Sequence, residues 1–122
     1  FIDPVTQRRY SDSLVAIYGM STVNRFAVAS GKLKSHERDS LHGFFHQHRD
    51  KVKILVCHHP IEETLHELER ERVKPDLILS GHTHICYVGE RHFPSFERVV
   101  LASCGTTTST RLRDGEPNCL NK

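Results

Sequence analysis

Val52-Lys53-Ile54-Leu55-Val56-Cys57-His58-His59-Pro60 is the stretch that decides the fold class. The β-branched, apolar run from Val52 to Cys57 is strand-sized, and Pro60 closes it. Ile61, Leu65 and Leu68 then recur at i, i+4, i+7, the spacing of one helix face. Glu62 and Glu63 lie in the first turn, with Arg70, Arg72 and Lys74 at the other end, the polarity a helix dipole favours. Pro75 stops this helix, and Asp76 leads into a second strand, Leu77 to Leu79, closed by the turning segment Ser80-Gly81-His82-Thr83-His84. Strand, helix, strand is the parallel crossover unit of α/β proteins.

The same texture extends both ways. Upstream, Leu14 to Tyr18 reads as a strand ending at Gly19, and Gly31 marks a turn. Leu41, Phe44, Phe45 and His48 predict a helix from the N-cap Ser35 to about Arg49. Downstream, Ile85–Val88 and Arg98–Ala102 read as strands joined by a loop holding Pro94, a hairpin at the C-terminal side. A Thr/Ser run over Gly105–Thr110 and a turn at Asp114-Gly115 complete the pattern of an α/β layered fold.

A chain of 122 residues is one domain by length. Its formal charge of +2, with Lys and Arg scattered apart from Arg8-Arg9 and Arg111/Arg113, argues against a nucleic-acid partner. Apolar runs such as Ile54–Cys57 are too short to cross a bilayer, so no membrane partner is expected. Phe1-Ile2-Asp3-Pro4 opens without a charged leader and a long apolar segment, so no signal peptide is expected within these residues, and with no initiator Met the chain is expected to start inside something longer. Cys57, Cys86, Cys104 and Cys119 form no C-x-x-C pair, which predicts reduced thiols and a cytoplasmic location.

Ten histidines carry the chemistry, and they are not equivalent. His42 and His46 have i, i+4 spacing but no H-E-x-x-H context, and with His48 they read as solvated helix-face residues. His36, His66 and His92 are isolated and read the same way. His58, His82 and His84 instead sit where strands run out, beside Gly or Pro. In an open α/β sheet such positions face the ligand crevice, so these three imidazoles are candidate metal ligands. His59 follows a ligand candidate directly and points elsewhere, which leaves a supporting or substrate-facing role, or a purely structural one.

His58-His59-Pro60 and Gly81-His82-Thr83-His84 resemble the last two signature blocks of the calcineurin-like metallophosphoesterases. Arg9 to Gly19, and Gly105 to Arg113 with Pro117-Asn118, are similar to the bacterial branch near the class III cyclic-nucleotide phosphodiesterases. The resemblance implies a four-layer αββα sandwich. It also implies two divalent ions (Fe, Mn or Zn) about 3.5–4 Å apart, and in-line attack of a hydroxide on a phosphomonoester or phosphodiester substrate. Carried over by position, His58 and His82 bind one ion and His84 the other.

The family completes its site with an Asp-x-His block, a bridging Asp and an Asn-His-Asp block. None of Asp3, Asp12, Asp39, Asp50, Asp76 and Asp114 begins Asp-x-His, Asn24 precedes Arg25, and Asn118 precedes Cys119. The expectation is therefore a single partial domain over residues 1–122, the C-terminal half of the sandwich. Its missing N-terminal half would be its partner, and the chain alone would be inactive. The short span from His59 to Gly81 leaves the substrate class open. The alternative reading is a non-catalytic metal-binding or interaction module that retains the fold, with at most one ion on the three imidazoles.

Overall fold

A computed structural model describes residues 9–20, 35–59, 65, 68, 69, 72–94 and 96–105. Its centre is one six-stranded sheet built from β1 (Arg9–Ser11), β2 (Val15–Met20), β3 (Val52–Cys57), β4 (Leu77–His84), β5 (Tyr87–Phe93) and β6 (Phe96–Gly105). The strand order is β1-β2-β3-β4-β6-β5. The inner strands β2, β3, β4 and β6 run parallel, and the edge strands β1 and β5 are antiparallel to their neighbours. One helix, α1 (Ser35–Gln47), lies between β2 and β3 in sequence. Leu65, Leu68 and Glu69 are helical, as the second helix predicts; the other residues of 61–71 lie outside the described set. The architecture is mixed α/β, as the alternation of strand and helix signals predicts.

Alternation along the strands sorts residues onto two faces. Ala16, Tyr18, Met20, Leu55, Cys57 and Ile78 share one face and join Leu41, Phe44 and Phe45 of α1 in the hydrophobic core. Leu65, Leu68 and Val73 belong to the same core. Leu55 is wholly buried on a central strand. Leu55→Ala is expected to cost about 3 kcal/mol, the lost transfer energy plus a residual cavity. A urea titration showing a loss below about 1 kcal/mol would mean that this face is not the core.

Polar contacts fix the edges of this layer. Arg9 of β1 stacks over the Tyr18 ring at 5.6 Å and donates to the Ser40 hydroxyl of α1, and Tyr18 Oη reaches the same hydroxyl at 3.0 Å. Asp12 Oδ1 accepts from the Leu14 and Val15 amides at 2.8 and 2.9 Å and so sets the turn into β2. These amide bonds hold its carboxyl below the usual carboxylate range. Asp76 Oδ2 accepts from the Lys53 amide at 2.8 Å and pairs with Lys53 Nζ at 3.0 Å, pinning the starts of β3 and β4 together.

Several boundaries depart from the sequence reading. The strand expected at Leu14–Tyr18 begins at Val15, because Leu14 is held in the Asp12 turn, and it passes Gly19 to pair Met20 with Cys57. The helix expected to reach Arg49 ends at Gln47. Ile85 and Cys86 precede β5 rather than belonging to it. β1 is an exposed polar edge with no apolar signal. The expectation of reduced thiols fails at Cys86, which is disulfide-bonded, whereas Cys57 and Cys104 are in no disulfide. The expected turn at Asp114-Gly115 and the Thr/Ser run after Gly105 lie outside the described residues.

The second helix closes without glycine. The Arg72 amide donates to the Glu69 carbonyl (3.0 Å) and the Val73 amide to the Leu68 carbonyl (2.8 Å), the paired bonds of a Schellman cap. The cap places Arg72 in the left-handed region, with φ of 55°. Glycine is the usual occupant, and a side chain there costs about 1–2 kcal/mol. Val73 and Leu68, both buried, supply the apolar contact that accompanies the motif.

Candidate metal centre

The two histidine segments lie on neighbouring parallel strands and at the same end of the sheet. β3 pairs with β4 through Ile54↔Leu77, Leu55↔Ile78 and Val56↔Leu79. Beyond that ladder the Gly81 amide donates to the His58 carbonyl at 3.1 Å, which carries the pairing past the end of β3. A Cβ at position 81 would meet the same carbonyl oxygen at 3.7 Å, an ordinary contact, so this approach does not itself require glycine. His58 is exposed and His59 half-buried, with their rings edge-to-face at 4.7 Å.

His82 and His84 differ from expectation in their backbone. They lie inside β4, not in a turn after it. β6 runs alongside as far as Gly105, so pairing continues from Ser80↔Ser103 to His84↔Gly105 across a register shift. The irregularity falls at the segment that carries the His-x-His. The side chains of His82, Thr83 and His84 lie outside the described set. Among the described residues no three His, Cys, Asp or Glu side chains are grouped to hold a metal.

Cys57 sits between the two segments in space, a placement with no signal in its sequence context. Its Sγ donates toward the His59 carbonyl at 3.1 Å and lies 3.7 Å from the Leu79 carbonyl. Burial pushes the thiol up to about 12, so it remains protonated at neutral pH. A thiol is neither a nucleophile nor a metal ligand in that form, and Cys57 acts as a stitch between β3 and β4. Of the histidines expected on a solvated helix face, His42 and His46 are exposed and stack on each other at 6.1 Å, whereas His48 follows α1, is half-buried and packs edge-on against Phe44 at 4.7 Å.

A family comparison gives this geometry its meaning. The calcineurin-like phosphoesterase profile matches residues 4–86 of the 122, a span that includes β1 to β4 and both histidine segments. The chain belongs to the calcineurin-like phosphoesterase family. No curated protein and no solved structure matches it. This calcineurin-like phosphoesterase thus has the fold of a family of metal-dependent phosphate-ester hydrolases. Its two histidine segments offer neutral imidazoles, which suit Zn, Fe or Mn. They fit the imidazole side of a divalent-metal centre and supply none of its negative charge. No helix among the described residues is long and apolar enough to cross a membrane.

Proposed function

We propose that this chain is the imidazole-bearing, C-terminal half of a two-metal phosphoesterase of the bacterial branch near the class III cyclic-nucleotide phosphodiesterases. In this reading His58 and His82 hold one ion, His84 holds the other, and His59 faces the substrate. The ions supply Lewis-acid polarisation of the phosphoryl oxygens of a phosphomonoester or phosphodiester. The observation that carries the reading is the Gly81–His58 backbone bond, which joins the two family-matched histidine segments across adjacent parallel strands.

Charge explains why this wall needs a partner. Two unit charges 4 Å apart repel by about 4 kcal/mol at an effective dielectric near 20, so two dications repel by about four times that. Three neutral imidazoles offset none of it. No Asp-x-His or Asn-His-Asp block occurs in the 122 residues, and we assign the bridging and terminal carboxylates to an upstream half of the same domain. The sheet favours that arrangement. Its second face carries Val15, Ile17, Val52, Ile54, Val56, Leu77 and Leu79, all at least partly exposed, with Val52 at 49% and Val56 at 36%. Parallel sheets are normally covered on both faces, and an αββα sandwich would bury this one. The cytoplasmic location belongs to the same proposal, with the reduced Cys57 in its favour and the Cys86 disulfide against it.

Activity and metal content test the reading together. The 122-residue chain should hydrolyse a bis-aryl phosphate no faster than buffer containing the same Mn or Zn. A longer protein that includes the upstream half should bind two ions per chain and hydrolyse the ester. Robust metal-dependent turnover by the short chain would refute the division of the site. One ion or none in an inactive longer protein would favour the non-catalytic module.

A further inference from the structure

A second cluster of charge lies at the other end of the parallel strands. A cavity of about 170 Å³ is lined by His42, His46 and Arg49 from the C-terminal half of α1 and the turn after it, Lys53 from the start of β3, and Arg72 and Lys74 ahead of β4. Lys53 is the second residue of β3, whereas His58 follows the last, so the cavity and the histidine segments are separated by the length of the strand. Phe45 and Val73 add an apolar wall.

The charges here are poorly balanced. Asp76 pairs with Lys53, but among the described residues no carboxylate pairs with Arg49, Arg72 or Lys74. Helix C-termini attract cations, which accounts for basic residues after α1 and after the second helix. It does not account for the backbone at Arg72. That residue occupies the cap position where glycine is the unstrained choice, with φ of 55°, and its side chain lines the cavity. Strain retained at a residue that faces a cavity points to a use for its side chain.

We propose that this cavity binds the phosphate group of a phosphorylated small molecule, at a site separate from the metal centre. Two guanidinium forks and the Lys74 ammonium match a multiply charged phosphate, since Arg engages such oxygens in pairs and Lys acts as a point charge, while Lys53, which also lines the cavity, is already paired with Asp76. The wall of Phe45 and Val73 suits the organic portion. The site does not depend on the proposed phosphoesterase function, because its residues and the histidine segments occupy opposite strand ends.

Calorimetric titration of inorganic pyrophosphate into the chain, with EDTA present to exclude metal-bridged binding, tests the site. One pyrophosphate per chain is expected, with a dissociation constant of about 0.1 mM or tighter. Arg72→Gly is the decisive variant, because glycine relieves the backbone and leaves the melting temperature no lower than that of the unaltered chain. It should weaken binding about tenfold, as should Lys74→Ala. His82→Ala should leave the affinity unchanged. Absence of saturable binding, or equal affinity in Arg72→Gly and Lys74→Ala, would overturn the proposal. Loss of binding in His82→Ala would do so as well, by moving the anion to the other strand end. Citrate binding as tightly as pyrophosphate would refute the phosphate assignment. Affinity that climbs with the length of an added oligonucleotide would replace it with a nucleic-acid surface.

Discussion

His82→Ala, introduced into the longer protein that carries the upstream carboxylates, is expected to lower kcat/KM for a phosphodiester by at least about a hundredfold. Groups that merely orient a metal ligand typically cost 10–100-fold when removed, so loss of a ligand itself should reach or exceed that range. His58→Ala should match it, because the proposal assigns both imidazoles to one ion. His84→Ala should be as damaging but should release the other ion, so metal analysis of the three variants distinguishes the two positions. His36→Ala supplies the control: its side chain is 73% exposed beside Glu37, and turnover should not change. Activity in His82→Ala equal to that of the unaltered protein would sink the ligand assignment. A uniform loss in all four variants would point to instability instead of chemistry.

The parts of this fold that were legible in the sequence are those whose signal is local. Val52–Cys57 is a β-branched run ending before His58-His59-Pro60, and its bounds coincide with β3. Leu41, Phe44 and Phe45 fall on one helix face, and all three are buried in α1. The β5–β6 hairpin was readable for the same reason, with Pro94 between two strand-forming runs.

Non-local causes were invisible. Gly81 looks like the end of a strand, yet β4 continues to His84 because β6, whose partner residues lie some twenty positions later, extends the ladder. Strand bounds depend on such neighbours more than on intrinsic preference. Arg72 offers no glycine to announce its left-handed cap, and only the pattern of hydrogen bonds reveals it. The basic cavity draws on three separate segments, so no stripe of Lys and Arg marks it in the chain. Of the candidate site, the residue types and the neighbouring of the two histidine segments could be anticipated. The Cys57 stitch could not, because it depends on carbonyls from two different segments.

Val56→Lys reads the missing layer directly, since Val56 and its buried neighbour Leu55 lie on opposite faces of β3. Val56 is 36% exposed and flanked on its face by Gly19 of β2 and Leu79 of β4. In the 122-residue chain the new ammonium reaches solvent, and the unfolding free energy should move by no more than about 0.5 kcal/mol. In the longer protein the same residue would lie between two sheets packed about 10 Å apart. An ammonium there loses its hydration with no carboxylate in the local sequence to meet it, a cost of several kcal/mol. The stem of a lysine can carry its charge to a nearby rim, so the loss is expected at about 3 kcal/mol rather than the full desolvation penalty. Parallel urea titrations of the two proteins make the comparison. Equal tolerance of Val56→Lys in both would mean that no second sheet covers this face, and the half-sandwich would have to be abandoned even if the metal ligands were correct.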